Sequence, residues 1–236
     1  MRWGLLRRRT RSIRLLALAM VGVLGLLLGC VPAKPKPTLL IYGDSLTVLA
    51  EPAITYLYSS KYNVVFRAAG GTAMCDWAPY AAADRIIYKP AQVVLAFTGN
   101  VDDCVDADFQ RSQLAGVVSN YELNLRLFAQ SYAGLPIKVV APPAMNNTSP
   151  TYAGWFPYNG NPALLAMYAQ VCAQLGLTYS AAADDGLTPG HVYTAMRPAY
   201  GTKAPLVTVR TTDGIHLTPA GTIYYAHALA DSAPSS

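Results

Sequence analysis

Four short apolar runs, each closed by glycine or proline, constrain this chain more than any other feature. They are "TLLIYG" from Thr38, "NVVFRAA" from Asn63, "QVVLAFTG" from Gln92 and "IKVVAPP" from Ile137. Their apolar character is continuous rather than alternating, and Val, Ile and Leu dominate. That is the pattern of strands buried on both faces. Segments with helical spacing lie between and after them. Residues 46–59 are apolar at 46, 49, 53, 54 and 57, and residues 106–132 place Leu114, Val117, Val118, Tyr121, Leu125 and Phe128 at three- and four-residue steps. A third segment, 162–175, opens with Pro162 and is followed by Gly176; a last helix is predicted from Pro219, with Thr218 as its cap. Strands alternating with helices predict a three-layer α/β/α sandwich around a mainly parallel, flavodoxin-like sheet of about five strands. In such sheets ligands bind beyond the carboxyl ends of the strands. Ser45, Gly70, Gly71, Gly99, Asn100 and Pro142 fall there. Residues 145–161 and 179–210, rich in Gly, Pro, Asn and Tyr, read as long ordered loops.

The charge is unevenly distributed. The net charge is +5, yet Arg2, Arg7, Arg8, Arg9, Arg11 and Arg14 all precede residue 30, where no acidic residue occurs. The remainder carries 12 basic against 13 acidic residues, a net of −1. Such a body lacks the basic footprint of a nucleic-acid binder. The basic stretch is followed by an apolar run over 15–29, shorter than the ~20 residues a membrane span needs, so 1–29 reads as a signal peptide. Its end, "LLGC", is similar to a bacterial lipobox with Cys30 as the lipidated residue; cleavage after Ala33 and an uncleaved anchor are the rivals. Residues 30–37 then form a Pro/Lys tether, extended because alternating prolines exclude helix, and 38–236 form the folded domain. The expected location is the cell envelope or the exterior, with a membrane contact through Cys30 if it is lipidated.

Cysteine usage fits export. Cys75 and Cys104 lie in loop-like sequence and can approach each other, whereas Cys172 sits in an apolar helical pattern that suits a buried thiol. With three histidines and no zinc-ligand spacing, neither metal nor cofactor is expected.

The first run stops abruptly at "GDSL", residues 43–46, which by itself could be a plain turn. Far downstream, "VRTTDGIHLTPAG" places Asp213 and His216 three residues apart. A serine hydroxyl becomes a nucleophile when a base takes its proton; imidazole can do so near neutral pH, and a carboxylate fixes its tautomer. Ser45 after the first strand, the glycines after the second, Gly99-Asn100 after the third, and Asp213/His216 before the last helix together resemble the GDSL family of SGNH hydrolases. The resemblance spans most of 38–232. It implies Ser45 as nucleophile, His216 as general base and Asp213 as its orienting carboxylate. It also implies an oxyanion hole made by the backbone amides of Ser45 and of Gly71 or Gly70, and by the Asn100 side chain. The third block of the family reads Gly-x-Asn-Asp, whereas here glycine directly precedes Asn100. The implied fold brings the second and third loops together, which implies a Cys75–Cys104 disulfide; a similar pair occurs in exported actinobacterial members of the group.

The expected activity is that of an exported serine esterase hydrolysing carboxylic esters, acting as a monomer. One alternative is an acyltransferase or deacylase acting on envelope glycans or glycolipids with the same triad. A non-catalytic envelope-binding lipoprotein is the other. Outside the triad, His191 reads as a loop histidine, His227 as packing or solvating a helix face, and Asp44 as bonding its own turn. Asp102 and Asp103 read as solvated loop acids. Tyr152, Trp155, Phe156 and Tyr158 could wall a substrate or simply pack their loop.

Overall fold

A computed structural model describes residues 34–105, 113–146 and 158–230. The signal segment, Cys30, the start of the helix expected from residue 106, and Tyr152, Trp155 and Phe156 lie outside them. The described elements run β1 (Thr38–Gly43), α1 (Ser45–Tyr58), β2 (Asn63–Ala68), α2 (Met74–Trp77), α3 (Ala81–Tyr88), β3 (Gln92–Ala96), α4 (Leu114–Ser131), β4 (Ile137–Val140), α5 (Pro162–Leu175), β5 (Thr178–Ser180), α6 (Ala182–Leu187), β6 (Met196–Pro198), β7 (Leu206–Thr208) and α7 (Pro219–Ala230).

Five strands form one sheet in the order β2-β1-β3-β4-β5, and every neighbouring pair is parallel. This is the expected flavodoxin-like order, with both faces covered. Successive side chains of a strand point to opposite faces. Leu40, Tyr42, Val93, Leu95 and Val139 enter one core with α2 to α5, while Leu39, Ile41, Val94, Ala96 and Val140 enter the other with α1, α6 and α7. Such two-sided burial is why the β1, β3 and β4 runs lack polar alternation; β2, expected to be buried as well, lies at the sheet edge and is only half-buried. Each fully buried Leu or Ile contributes about 1.5 to 3 kcal/mol relative to exposure. In α1 the stripe Leu46, Ala50, Ile54, Tyr58 recurs every four residues and faces the second core.

Caps set where helices begin and end. Asn161 accepts from the Ala163 amide at 2.9 Å with Pro162 at the first helical position, and Gly176 closes α5 in the left-handed conformation. The Thr218 hydroxyl accepts from the Gly221 amide at 3.3 Å at the start of α7. The stretch 179–210 is more ordered than its composition suggests: it carries α6 and the antiparallel pair β6–β7. Cys75 and Cys104 form a disulfide, with Cα atoms 5.7 Å apart, joining the loops that follow β2 and β3. Cys172 is buried with a free thiol, which burial pushes up to about 12.

Candidate active site

Ser45 opens α1 directly beyond the carboxyl end of β1. The tight passage from strand to helix needs Gly43, because a Cβ there would lie 2.0 Å from the Thr47 hydroxyl and 2.9 Å from the Ala96 carbonyl. Asp44, fully buried, caps the helix and does more than bond its own turn. Its carboxylate accepts from the Leu46 amide at 3.1 Å, the Thr98 amide at 2.7 Å and the Thr98 hydroxyl at 2.6 Å. The turn that carries Ser45 is thereby riveted to the loop after β3. Burial pushes the Asp44 carboxyl up, against the pull of those hydrogen bonds.

Two further loops close on Ser45. A Cβ on Gly70 would stand 3.9 Å from that of Ser45, so the 69–71 backbone passes close to the hydroxyl-bearing residue. Asn100, 2 % exposed, is fixed by three contacts. Its Nδ2 donates to the Thr72 carbonyl at 3.0 Å, its Oδ1 accepts from Asn159 Nδ2 at 2.7 Å, and its backbone carbonyl accepts from the Tyr121 hydroxyl at 2.8 Å. The glycine directly before it has a packing reason. Gly99 has φ +109°, and a Cβ would meet Leu164 at 2.5 Å and the Tyr158 carbonyl at 2.9 Å.

The third component is the turn 210–217. Asp213 Oδ2 accepts from His216 Nδ1 at 2.7 Å, while Oδ1 accepts from the Thr211 hydroxyl (2.6 Å) and from the amides of Ile215 (2.8 Å) and His216 (2.9 Å). Burial alone would raise this carboxyl. The hydrogen bonds from Thr211, the His216 ring and the two amides outweigh it and hold Asp213 well below the usual carboxylate range. Under the turn lies Arg210, 1 % exposed, whose guanidinium donates to the carbonyls of Ile215 (2.6 Å) and Ala144 (3.0 Å). Burial pulls its pKa down to about 10.

These pieces meet. A cavity of about 180 Å³ is lined by Ser45, Gly70, Gly71, Asn100, Asn159, Ile215 and His216. A more open hollow of about 380 Å³ shares Ser45, Gly70 and His216 and adds Val48, Leu49, Thr211, Asp213 and Leu217. Ser45, His216, Asp213, both candidate glycines and Asn100 therefore converge on one place. A larger cavity, about 500 Å³, lies near the amino end of β4 between residues such as Tyr132, Leu135 and Leu177. It is lined by no serine, histidine or carboxylate, so chemistry rather than size selects the site. Of the other residues noted in the sequence, His227 stacks on Tyr200, Asp102 accepts from the Asp103 amide, and His191 pairs with Asp184. Asn159 and Arg210, which the sequence does not single out, brace Asn100 and the His216 turn.

The fold has relatives among solved structures. A lipase/acylhydrolase from Enterococcus faecalis is 16% identical, with a TM-score of 0.59 over 82% of this chain and 93% of that one. A protein described as a GDSL-like lipase, from Parabacteroides merdae, is 12% identical, with a TM-score of 0.54 over 84% and 95%. A variant of an acetyl xylan esterase from Geobacillus stearothermophilus is 15% identical, with a TM-score of 0.52 over 82% and 93%. At these identities the likeness is one of fold. No family model and no curated protein matches the chain.

Proposed function

We propose that this protein is a serine ester hydrolase of the GDSL type that works outside the cytoplasm. The observation that carries the reading is the His216–Asp213 pair at 2.7 Å lining one cavity with Ser45, Gly70, Gly71 and Asn100. With Nδ1 committed to the carboxylate, His216 Nε2 is the nitrogen that takes the Ser45 proton as Oγ attacks the ester carbonyl. The oxyanion is held by the Ser45 amide, the Gly71 or Gly70 amide, and Asn100 Nδ2. That amide nitrogen carries two hydrogens and spends one on Thr72, so the other serves the oxyanion. Collapse expels the alcohol, protonated by His216, and leaves an acyl group on Ser45. Water, deprotonated by the same imidazole, then releases the acid. The ionised Asp213 stabilises the imidazolium in both halves. The lipase and esterase relatives in fold support this class of reaction. Export is supported by the signal-like N-terminus and by the Cys75–Cys104 disulfide.

The test is direct. Folded protein should react with a fluorophosphonate at Ser45 and hydrolyse p-nitrophenyl acetate, and Ser45→Ala should abolish both. A folded wild-type chain that neither labels nor turns over would overturn the reading.

A further inference from the structure

Asn100 is only as well placed as Asn159, whose Nδ2 holds its Oδ1 at 2.7 Å and lies 3.4 Å from the Thr98 hydroxyl. Asn159 is 3 % exposed and belongs to the turn 158–161, closed by the Asn161 amide on the Tyr158 carbonyl. The next residue of that turn, Gly160, is gripped through both of its backbone polar groups. The Gly160 amide donates to the Thr98 carbonyl at 2.8 Å, and the Gly160 carbonyl faces His191 Nε2 at 2.7 Å. A carbonyl only accepts, so Nε2 is the donor.

The other side of the His191 ring is fixed as well. Nδ1 faces Asp184 Oδ1 at 2.9 Å, and the same oxygen accepts from the Thr188 hydroxyl at 2.5 Å and lies 3.4 Å from the Ala144 amide. His191 itself stands at φ +57°, a conformation that residues with side chains enter at a cost. The backbone is thus held in an unfavourable state whose consequence is to aim one ring at Gly160. The line of contacts runs from Asp184 through His191 and Gly160 to Asn159 and Asn100, ending on the side chain that receives the oxyanion.

We propose that His191, backed by Asp184, is a positioning residue for ester hydrolysis: it clamps the 158–161 turn so that Asn159 presents Asn100 to the developing oxyanion. The inference rests on the esterase reading above. A clamp of this kind acts when charge develops, so its loss lowers kcat more than it raises KM. A histidine that only supported the fold would lower thermal stability without coupling to Asn159.

The experiment uses the full chain with p-nitrophenyl acetate and compares wild type, His191→Asn, Asn159→Ala and the double variant, with thermal melts of each. Asparagine tolerates positive φ but is too short to bridge both partners. We expect His191→Asn to lower kcat about ten- to a hundredfold with KM within about twofold, since a small misplacement of a catalytic group is costly. In the Asn159→Ala background the same change should add no more than about a twofold loss, because its path is already cut. Full additivity, or an unchanged kcat in folded His191→Asn, overturns the clamp. Should His191→Asn not fold, Asp184→Asn reads the same clamp, and an unchanged kcat there overturns it too. A folded wild-type chain without turnover or fluorophosphonate labelling removes the esterase reading and this inference together. Full wild-type turnover with an indifferent His191 removes this inference alone.

Discussion

Two aspartate–histidine pairs of similar geometry occur among the described residues, and the contrast between them is what separates the proposed base from the proposed brace. In both, a carboxylate oxygen meets Nδ1, at 2.7 Å for Asp213–His216 and 2.9 Å for Asp184–His191. They differ in what surrounds the ring beyond that contact. His191 Nε2 is spent on the Gly160 carbonyl, whereas His216 lines both hollows together with Ser45. They also differ in reach. Asp213 takes its four donors from residues 211 to 216, a self-contained turn. The Asp184 pair joins parts of the chain 31 and 40 residues away. The local pair faces the two hollows it shares with Ser45, while the long-range pair ties distant parts of the scaffold together.

Breaking the local pair should have the largest effect. His216→Ala or Ser45→Ala removes the chemical step and should lower kcat by about 10³-fold or more, with little change in melting temperature. Asp213→Asn keeps the shape but loses the orienting charge; its turnover should fall steeply yet stay above that of His216→Ala. Comparable activity in His216→Ala and wild type would remove the distinction between the pairs. Next comes Asn100, the point where the brace meets the chemistry. If Asn100 is the proposed oxyanion donor, Asn100→Ala should cost about 10²- to 10³-fold, mainly in kcat. A change confined to KM would instead assign Asn100 to ground-state binding.

The Cys75–Cys104 link allows a sharper test of which loops depend on distant support. Replacing both cysteines with alanine should lower stability by about 3 to 4 kcal/mol, the chain-entropy value for a loop of this length. Chemical denaturation under non-reducing conditions reads that loss. Turnover should fall less than in Asn100→Ala, because Asn100 keeps its own hydrogen bonds to Thr72 and Asn159. A loss of turnover equal to that of Asn100→Ala would mean that the disulfide, not this pair of bonds, positions the donor.

The same division between local and distant explains what the sequence makes legible. The strands β1 to β4 begin at Thr38, Asn63, Gln92 and Ile137, where the apolar runs begin; in β1, β3 and β4 two-sided burial writes itself into consecutive residues, while the half-buried edge strand β2 keeps the same β-branched and aromatic character. Strand β5 is three residues long, and α6, β6 and β7 span three to six, too short to show a period, so 179–210 reads as loop. In the candidate site, the convergence of Ser45, Asn100, Asp213 and His216 is legible because the proposed chemistry would need those residue types at strand ends and in one turn. Asn159 is not. Its bond to Asn100 spans 59 residues, and nothing in "PYNGNP" separates it from any turn asparagine. Arg210 is similarly hidden, since its buried guanidinium serves carbonyls that pattern cannot anticipate. His191 is visible as a histidine, but the positive φ and the Gly160 contact that define its part belong to the folded chain.

The smallest expected effect lies in the acid stability of the local pair. Asp213 is held well below the usual carboxylate range despite burial, by the donors of its own turn. A carboxyl whose folded value is depressed contributes stability that is fully present above its unfolded value, about 3.9, and is lost as the pH falls through the lower folded value. The side chains of His216 and Asp213 keep 26 % and 18 % exposure, so solvent screens part of the interaction and the effect should be modest. Melting temperatures should be recorded between about pH 6 and pH 2 for wild type and Asp213→Asn, the window in which this carboxyl titrates. The asparagine variant cannot titrate there and should start lower at neutral pH, then lose less than wild type below about pH 4, so that the two curves converge. Parallel curves across that window would mean that the hydrogen bonds around Asp213 serve the geometry of His216 without contributing to the stability of the fold.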